Sequence, residues 1–335
     1  MQAAVYRRTG PADDVLSIVQ LAKCKPGPGE VRIRVAFSGV NPSDVKARAG
    51  VSVPNLAYDY VVPHSDGSGI VDALGEGVSA VGSGDRAGLA PGAPVWFFLA
   101  QWQRQHGSAA EYVCLPASQV MPLPEGVPLQ AGAAIGIPLM TAWHAVHGYG
   151  SVDGKTVLVT GGAGAVGFYA IQLARLAGAR VIATVSSAAK AAVAQDAGAD
   201  HVLEYGDADA LASSVRELTG GAGVDVIIEV NAGYNAPCHA DLLAHGGRVV
   251  IYGSQAAEIP VSYRGMMRVF GSLHFFVVYG FTAGQRRTIA EAMNELLAKG
   301  RLRHLPVAEF ALEEIASAHR HVEAGGIGKA LLSVA

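Results

Sequence analysis

The first third of the chain alternates apolar and polar residues, which is typical of half-buried β-strands. In the run EVRIRVAF, Val31, Ile33 and Val35 alternate with Arg32 and Arg34. Successive side chains of a strand point to opposite faces, so one face is predicted to be buried and the other solvated. Short runs of this kind, separated by Gly and Pro, continue to about residue 124 and predict a β-rich domain.

Further runs in this part of the chain agree with that interpretation. Strands are predicted over 31–40 and 111–115, and GSGIVDALGEGV (67–78) predicts a strand, a glycine turn and the start of another strand, which suggests a compact barrel. The stretch 83–102 is crowded with Gly and Pro before an aromatic run, and it predicts a loop followed by a strand.

From Gln130 onward the pattern changes to one of alternating strands and helices. An alanine-rich helix is predicted over 131–134 and a second helix over 141–148. The alternation that follows predicts a parallel, doubly wound sheet, as in a Rossmann fold. The predicted strands are 156–160, 180–185, 201–203, 224–230 and 248–252, with helices between them that include 187–197 and 209–218.

The C-terminal part returns to the first pattern. A strand over 271–279 is followed by a helix over 284–299, which Gly300 ends. A last strand over 329–334 is predicted to rejoin the first domain. The predicted domain limits are therefore 1–124 for a β-rich domain, 125–268 for a dinucleotide-binding domain and 269–335 for a return to the first domain.

The stretch VLVTGGAGAVGFYAIQLAR (157–175) places a glycine turn between a buried strand and a helix. Gly161, Gly164 and Gly167 have the spacing GxxGxxG. The first glycine permits a tight turn, the second lets the backbone approach a pyrophosphate, and the third lets the helix pack on the strand. The partial positive charge of the helix N-terminus then faces the phosphates. The stretch predicts a dinucleotide site at residues 161–167.

Composition narrows the possible partners. Of 335 residues, half are hydrophobic and 16% are charged, and the formal net charge is -3. Nucleic acids and anionic lipids are usually bound by a basic surface, so small molecules are the expected partners. No run reaches the roughly 18 apolar residues of a membrane span, and the N-terminus MQAAVYRRTG is unlike a secretory signal. We therefore expect a cytoplasmic protein.

The cysteines give no framework for a disulfide or a metal. Cys24, Cys114 and Cys238 are scattered singly along the chain. Neither a CxxC cluster nor a dense set of paired cysteines is present, so free thiols are predicted.

Five ordered segments carry a resemblance to a known family. They are SGVNPSDVKARAG, HSDGSGIVDALGEGV, AAIGIPLMTAWHAV, VLVTGGAGAVG and DLLAHGGRVVIYGS, and together they cover nearly the whole chain. The chain resembles the medium-chain dehydrogenase/reductase superfamily and, within it, the zinc-free quinone oxidoreductases related to zeta-crystallin. The resemblance implies a GroES-like domain with a Rossmann domain inserted after it, and NADPH-dependent reduction of quinones or similar electron-poor acceptors.

The zinc ligands of the superfamily's alcohol dehydrogenases have no counterpart here. Asn41 lies in the segment where those enzymes carry a catalytic cysteine. In the best register, His64 replaces the glycine and Ser65 the histidine of their Gly-His-Glu motif. No metal is predicted, because too few ligands remain. His64 is expected to be a hydrogen-bonded surface or pocket residue.

The residues after the second predicted Rossmann strand favour NADPH over NADH. NAD-selective domains place Asp or Glu there to bind the ribose hydroxyls. This chain has Ser186 and Ser187 followed by Lys190. Hydroxyls and an ammonium group can bind a 2'-phosphate, which no carboxylate at this point would repel. The resemblance assigns the same role to Ser187 and Lys190.

The resemblance also carries other cofactor contacts to this chain. It places Asn41 and Thr141 near the nicotinamide and Tyr205 near the adenine ribose, and it backs the nicotinamide with residues 275–277. Phe275 and Phe276 as core residues, and Asn41 as a turn cap, are the alternatives. The full predicted cofactor set is Asn41, Thr141, Gly161, Gly162, Ala163, Gly164, Ala165, Val166, Gly167, Ser186, Ser187, Lys190, Tyr205, Asn231, Gly233, Gly253, Ser254, Phe275, Phe276 and Val277.

The sequence specifies the substrate that accepts the hydride less closely than it specifies the cofactor. Hydride transfer to a quinone requires orientation more than a side-chain acid or base, so no obligatory catalytic residue is assigned. The pocket candidates are Asn41, Lys46, Ser52 and Thr141, with Lys46, Ser52 or solvent as proton donors. Relatives often have tyrosines in place of Lys46 and Ser52. The aromatic residues Trp96, Phe97, Phe98 and Trp102 are either replacement surface or core.

Two alternatives to a quinone reductase remain open from the sequence. One is an NADPH-dependent reductase of an enone or alkenal double bond, and the other is a non-catalytic NADPH-binding structural protein. The run 271–278 is expected to form an exposed edge strand, which the family pairs across a dimer. A homodimer or homotetramer is predicted.

Overall fold

A computed structural model describes residues 1–52, 54–78 and 89–334. The strands, in chain order, are β1 (Gln2–Val5), β2 (Ser17–Gln20), β3 (Glu30–Gly39), β4 (Asp66–Leu74), β5 (Pro94–Phe97), β6 (Tyr112–Pro116), β7 (Val120–Pro122), β8 (Thr156–Val159), β9 (Arg180–Val185), β10 (His201–Glu204), β11 (Val224–Glu229), β12 (Leu243–Ile251), β13 (Ser272–Phe275), β14 (Val307–Ala311) and β15 (Lys329–Ser333).

The helices are α1 (Ala12–Val15), α2 (Pro42–Ala49), α3 (Leu129–His147), α4 (Ala165–Leu176), α5 (Ala188–Asp196), α6 (Ala208–Leu218), α7 (Ala232–Asn235), α8 (His239–Leu242), α9 (Tyr263–Val269), α10 (Ala283–Ala298) and α11 (Ile315–Glu323). Within the described part of the chain, none of them has both the length and the apolar character needed to cross a membrane.

The chain divides into two units. The first unit is discontinuous and consists of Met1–Ile137 and Thr282–Ala335, whereas the second unit is Pro138–Phe281. The domain limits 1–124, 125–268 and 269–335 stay a prediction of the sequence.

The first unit is built on a mostly antiparallel sheet. Its strand order is β14-β15-β3-β4-β5-β7, and β6 also pairs with β3. Val31, Ile33 and Val35 are fully buried, which confirms the alternation in β3. The last strand, β15, pairs antiparallel with β3, so the predicted return of the C-terminus to this sheet is confirmed.

The second unit has the predicted parallel, doubly wound sheet. Its strand order is β10-β9-β8-β11-β12-β13, and every neighbouring pair is parallel. The middle strands are apolar throughout because helices cover both faces of such a sheet. Ligands of open α/β sheets bind beyond the carboxyl ends of the strands, so the turn after β8 lies in the expected place.

Two sequence predictions of local structure are wrong. Instead of separate helices over 131–134 and 141–148, a single helix α3 runs through Pro138. Its halves are both buried, as Ala133 and Leu139 show, and this packing offsets the backbone hydrogen bond that proline cannot make. The strand predicted over 271–279 ends at Phe275, because its neighbour β12 ends at Ile251, opposite that residue.

The glycine-rich stretch of the first unit is only partly described. The predicted strand over 67–78 is confirmed as β4, which ends at Leu74 before a turn. The start of a second strand predicted at the end of 67–78 is not seen up to Val78. Its continuation, and the start of the loop predicted over 83–102, lie outside the described residues. The strand that follows is confirmed as β5.

Candidate functional site

The turn between β8 and α4 requires glycine at several positions. Gly161 has a φ of +67°, in the left-handed region that disfavours L side chains. A Cβ on Gly167 would lie 2.3 Å from the carbonyl oxygen of Gly161, and one on Gly162 would lie 2.8 Å from the Cβ of Ala183. The third glycine therefore lets the helix pack on the turn, as its spacing predicts. We call residues Gly161–Gly167 the glycine turn.

The N-terminus of α4 faces out of the glycine turn. Its N-cap is Gly164, which has no side chain to accept a hydrogen bond from the first-turn N–H groups. Ala165 and Val166 begin the helix, so their N–H groups need an acceptor from elsewhere. A pyrophosphate meets that need, since its oxygens accept hydrogen bonds and its charge complements the helix dipole.

The buried carboxylate of Glu229 binds several neighbouring groups at the C-terminal end of β11, the strand next to β8. Glu229 is fully buried, and its Oε1 accepts hydrogen bonds from Thr160 Oγ1 (3.1 Å), the Asn231 N–H (2.6 Å) and Asn235 Nδ2 (2.8 Å). Its Oε2 lies 3.0 Å from His239 Nε2. Sequence reasoning missed this group. Its only local signal is a carboxylate at the end of the apolar strand VDVIIE.

The loops after β11 and β12 bring four predicted residues together. The N–H of Gly233 donates to Ser254 Oγ at 3.1 Å. The N–H of Ala232, the residue that follows Asn231, donates to the Gly253 carbonyl at 3.1 Å. Asn231 Oδ1 accepts from the Gln255 N–H at 3.0 Å. The two loops therefore form one hydrogen-bonded edge at the carboxyl ends of their strands.

The residues predicted to select the cofactor lie at the end of β9. Ser187 is the N-cap of α5, and its Oγ accepts a 3.4 Å hydrogen bond from the Lys190 N–H. The N–H of Tyr205 donates to the Val185 carbonyl at 3.0 Å, which places Tyr205 beside Ser186. Glu204 lies opposite Val185 in the strand register. Sequence reasoning considered only the residues directly after β9 and overlooked this carboxylate.

The residues 275–277 do not behave as one apolar surface. Phe275 and Val277 are 61% and 59% exposed, so the alternative of Phe275 as a core residue is wrong. Phe276 instead packs on His144, with ring centroids 4.7 Å apart. His144 follows the buried Thr141 by one turn of α3, and burial lowers the pKa of His144.

In the first unit, Asn41 is held by two buried charged residues. Its Nδ2 donates to Asp66 Oδ2 at 2.8 Å, and Lys329 Nζ donates to its Oδ1 at 2.5 Å. Lys329 Nζ is also 3.5 Å from Asp66 Oδ2. The N–H of Asn41 donates to Asp44 Oδ2 at 2.8 Å at the start of α2. We call these four buried residues the Asn41 cluster.

The electrostatics of the Asn41 cluster follow from its burial. Burial raises the pKa of Asp44 to about 7, against the hydrogen bond from the Asn41 N–H, and the nearby charge of Asp66 adds to the increase. Burial also raises the pKa of Asp66 and lowers that of Lys329. The charges of Asp66 and Lys329 each oppose the other's shift, as expected for a buried ion pair.

His64 is a core residue, which corrects the expected surface position. It is fully buried, with Nδ1 2.8 Å from Ser38 Oγ and Nε2 2.9 Å from His319 Nε2. Burial lowers the pKa of both histidines. Ser65 Oγ donates to Asp44 Oδ1 at 3.2 Å. Over the described residues, no group of three or more His, Cys, Asp or Glu side chains is arranged to hold a metal ion.

Of the residues predicted to line the acceptor pocket, Lys46 and Ser52 are less buried than Asn41 and Thr141. Lys46 is half-buried on α2, and the N–H of the exposed Ser52 donates to its carbonyl at 3.4 Å. The aromatic run Trp96–Phe98 is fully buried, so its interpretation as replacement acceptor surface is wrong. Trp102 is 40% exposed.

Two family models match this chain, one mostly within each half of the sequence. Residues 27–125 match the family described as alcohol dehydrogenase GroES-like domain, and residues 165–299 match the family described as zinc-binding dehydrogenase. Two solved structures share the fold over essentially the whole of both chains. One is an NAD-dependent alcohol dehydrogenase (31% identity, TM-score 0.90) and the other is mycobacterial Rv1454c complexed with NADPH (30% identity, TM-score 0.88).

Curated relatives extend the match. The quinone oxidoreductases of Homo sapiens and Sus scrofa are 30% and 33% identical to this chain over 310 residues, which cover 92% of this chain and 90% of each relative. Identity at this level over nearly the whole length agrees with the resemblance carried by the five sequence segments. The chain therefore belongs to the quinone oxidoreductase family of the medium-chain dehydrogenase/reductase superfamily, and it is an oxidoreductase.

Proposed function

We propose that this protein is an NADPH-dependent, zinc-independent reductase of quinones or similar electron-poor acceptors. The observation that carries the proposal is the glycine turn, with its close backbone packing and the uncapped N-terminus of α4. A dinucleotide pyrophosphate fits this backbone. The relatives named quinone oxidoreductase, and the neighbour complexed with NADPH, support the same activity class.

The residues that would hold the cofactor follow the carboxyl ends of the second unit's strands. The first-turn N–H groups of α4 would bind the pyrophosphate, and Ser187 with Lys190 would bind a 2'-phosphate through charge-assisted hydrogen bonds. Tyr205, Asn231 and Ser254 would complete the binding edge. When bound, NADPH supplies a hydride from its nicotinamide. The chain's contribution is to bind and orient it.

The chemistry proposed for the acceptor side requires little from ionisable groups. A quinone becomes a hydroquinone by accepting one hydride and one proton, and solvent, Lys46 or Ser52 would supply the proton. By their match to the family, we assign contacts with the nicotinamide to Asn41 and to Thr141. Zinc independence is supported by His64, whose two ring nitrogens each lie within hydrogen-bond distance of another side chain.

We also propose a homodimer or homotetramer, with β13 at the contact. Among the described residues β13 is the last strand of the parallel sheet, and its terminal residue Phe275 is largely exposed. Exposed apolar edges are suited to pairing with another chain.

A substitution at Lys190 tests the cofactor assignment. Lys190→Glu is expected to raise the KM for NADPH about tenfold or more and to leave the KM for NADH much less affected. The reason is that a hydrogen bond to a charged group contributes about 1.5–3 kcal/mol, and the new carboxylate would also repel a 2'-phosphate. Steady-state oxidation of each cofactor measures the two values.

Lys25→Glu is the control, since it makes the same charge change at an exposed residue of the first unit. Equal effects of Lys190→Glu on the KM values of the two cofactors would contradict the assignment.

The acceptor class is tested separately by product analysis, where formation of hydroquinone supports the proposal. Saturation of an enone or alkenal would support the double-bond alternative instead, and absence of turnover despite tight NADPH binding would favour a non-catalytic role.

A further inference from the structure

Two cysteines that are far apart in the sequence meet in the first unit. Cys24 and Cys114 are 90 positions apart, yet their Sγ atoms lie 2.8 Å from each other. Cys114 lies on β6, and Cys24 lies in the segment between β2 and β3. Both residues are half-buried. All three cysteines are free thiols, as the sequence predicts, but their positions along the chain gave no sign that two of them meet.

Neighbouring side chains fix the segment that carries Cys24. Arg32 Nη1 donates to the Cys24 carbonyl at 2.9 Å, and Arg32 Nε donates to Asp72 at 2.5 Å. On the other side, Lys23 Nζ lies 3.3 Å from Asp72 and 3.7 Å from the centroid of the Tyr112 ring. Tyr112 is on β6, as Cys114 is. The two sulfurs are therefore held together by contacts to β3, β4 and β6.

The environment also favours a reactive sulfur at Cys24. The Cys114 thiol donates a hydrogen bond to Cys24 Sγ, and this bond lowers the pKa of Cys24 against the effect of burial. The positive charge of Arg32 lowers it further. Thiolates, rather than thiols, attack peroxides and disulfides, and reactive cysteines lie in electropositive, partly exposed surroundings.

We propose that Cys24 and Cys114 form a reversible redox site, which a hydroperoxide oxidises to an intramolecular disulfide. With hydrogen peroxide, the Cys24 thiolate attacks one oxygen, an S–O bond forms and the O–O bond breaks. The leaving hydroxide takes up the proton that the Cys24 thiol released, which gives the first water. The Cys114 sulfur then attacks the Cys24 sulfenic acid, an S–S bond forms, the S–O bond breaks, and the leaving hydroxide takes the Cys114 proton, which gives the second water. Two thiols lose two electrons to one peroxide.

The third cysteine is a natural control. Cys238 lies in the second unit, where its Sγ donates to the Asn235 carbonyl at 3.1 Å. Burial raises the pKa of Cys238 to about 11, and the charge of Glu229 adds to this. The proposed disulfide lies outside the residues assigned to the cofactor and does not depend on the proposed function. It would close a loop that contains Asn41 and Asp66.

Thiol counting on the full-length protein tests the proposal. Reduced protein is exposed to hydrogen peroxide under native conditions, quenched, denatured and titrated for free thiols. We expect the count to fall from three to one and to return to three after dithiothreitol. Peptide mapping without reduction should find the Cys24 peptide bonded to the Cys114 peptide, with Cys238 still alkylated.

Three variants complete the test. Cys238→Ser should fall from two thiols to none. Cys24→Ser should keep both of its remaining thiols, whereas Cys114→Ser should form no disulfide and should lose only the Cys24 thiol, as a sulfenic acid. The wild-type and Cys238→Ser results decide the proposal even if a variant of the pair fails to fold. A count that stays at three would overturn the proposal. So would loss of Cys238 at the same rate, bonds between chains only, or sulfinic acid in place of the disulfide.

Discussion

The glycine turn of the second unit and the Asn41 cluster of the first are two different ways to build a binding region. The glycine turn uses backbone from one continuous stretch of seven residues, and what matters there is the absence of side chains at its glycines. The Asn41 cluster uses side chains from three separate regions of the chain, around positions 41–44, 66 and 329. The first is a local feature of the sequence, whereas the second exists only after folding.

The glycine turn and the Asn41 cluster also differ in the free-energy cost of a substitution. Adding one carbon to the glycine turn creates a steric conflict but leaves buried charges unchanged. Removing Asp66 or Lys329 from the Asn41 cluster leaves a buried charge without its partner, which is among the largest single-residue penalties in proteins. We therefore expect mutations in the Asn41 cluster to affect folding first, and mutations in the glycine turn to affect binding first.

Loss of the Lys329 ammonium should have the largest effect on stability. Lys329→Met removes the cation beside Asp66 and one donor to Asn41, so the free energy of unfolding should fall by about 3–5 kcal/mol. Urea unfolding followed by circular dichroism measures this change. Lys299→Met is the control, because the Lys299–Glu295 pair is exposed and contributes little. Equal losses in the two variants would contradict the assigned role of the buried pair.

The pH dependence of stability should identify Asp44. Its pKa is raised to about 7 in the folded protein, so between about pH 4 and pH 7 the folded chain holds a proton that the unfolded chain has lost. Stability from this carboxyl is fully present below pH 4 and is lost as the pH rises to about 7. The loss is up to about 4 kcal/mol.

Asp44→Asn should remove that part of the decline. The measurement is urea unfolding at several pH values from 4 to 8, with the exposed Asp14→Asn as a control that keeps the decline. If the Asp44→Asn and wild-type curves run parallel, the carboxyl is not the source of the pH dependence.

A methyl group in the glycine turn should have a smaller effect, and mainly on the cofactor. Gly167→Ala places a Cβ 2.3 Å from the Gly161 carbonyl oxygen, so the turn must shift. We expect NADPH binding to weaken by about 1–3 kcal/mol, the usual range for overpacking. Isothermal titration calorimetry measures this. Gly284→Ala, where a Cβ meets no atom within 4 Å, should bind as the wild type does, and equal weakening in both variants would refute the steric account.

Much of the fold could be predicted because it rests on local patterns. The alternation in β3 follows from side chains that point to opposite faces of a strand, and the spacing of Gly161 and Gly167 follows from a close backbone packing. Two predictions failed where contacts with another part of the chain decide how far an element extends. The helix α3 continues through Pro138 because packing stabilises it, and β13 stops where β12 ends.

The candidate site divides in the same way. By itself, the sequence determined the alternation of strands and helices along the second unit, the glycine turn and the serines and lysine after β9, because each depends on neighbours within a few residues. Only the tertiary structure brought Lys329 to Asn41, His239 to Glu229 and Cys24 to Cys114. Nothing in a local pattern specifies such pairs, since a buried charge or a thiol finds its partner only through the packing of distant segments.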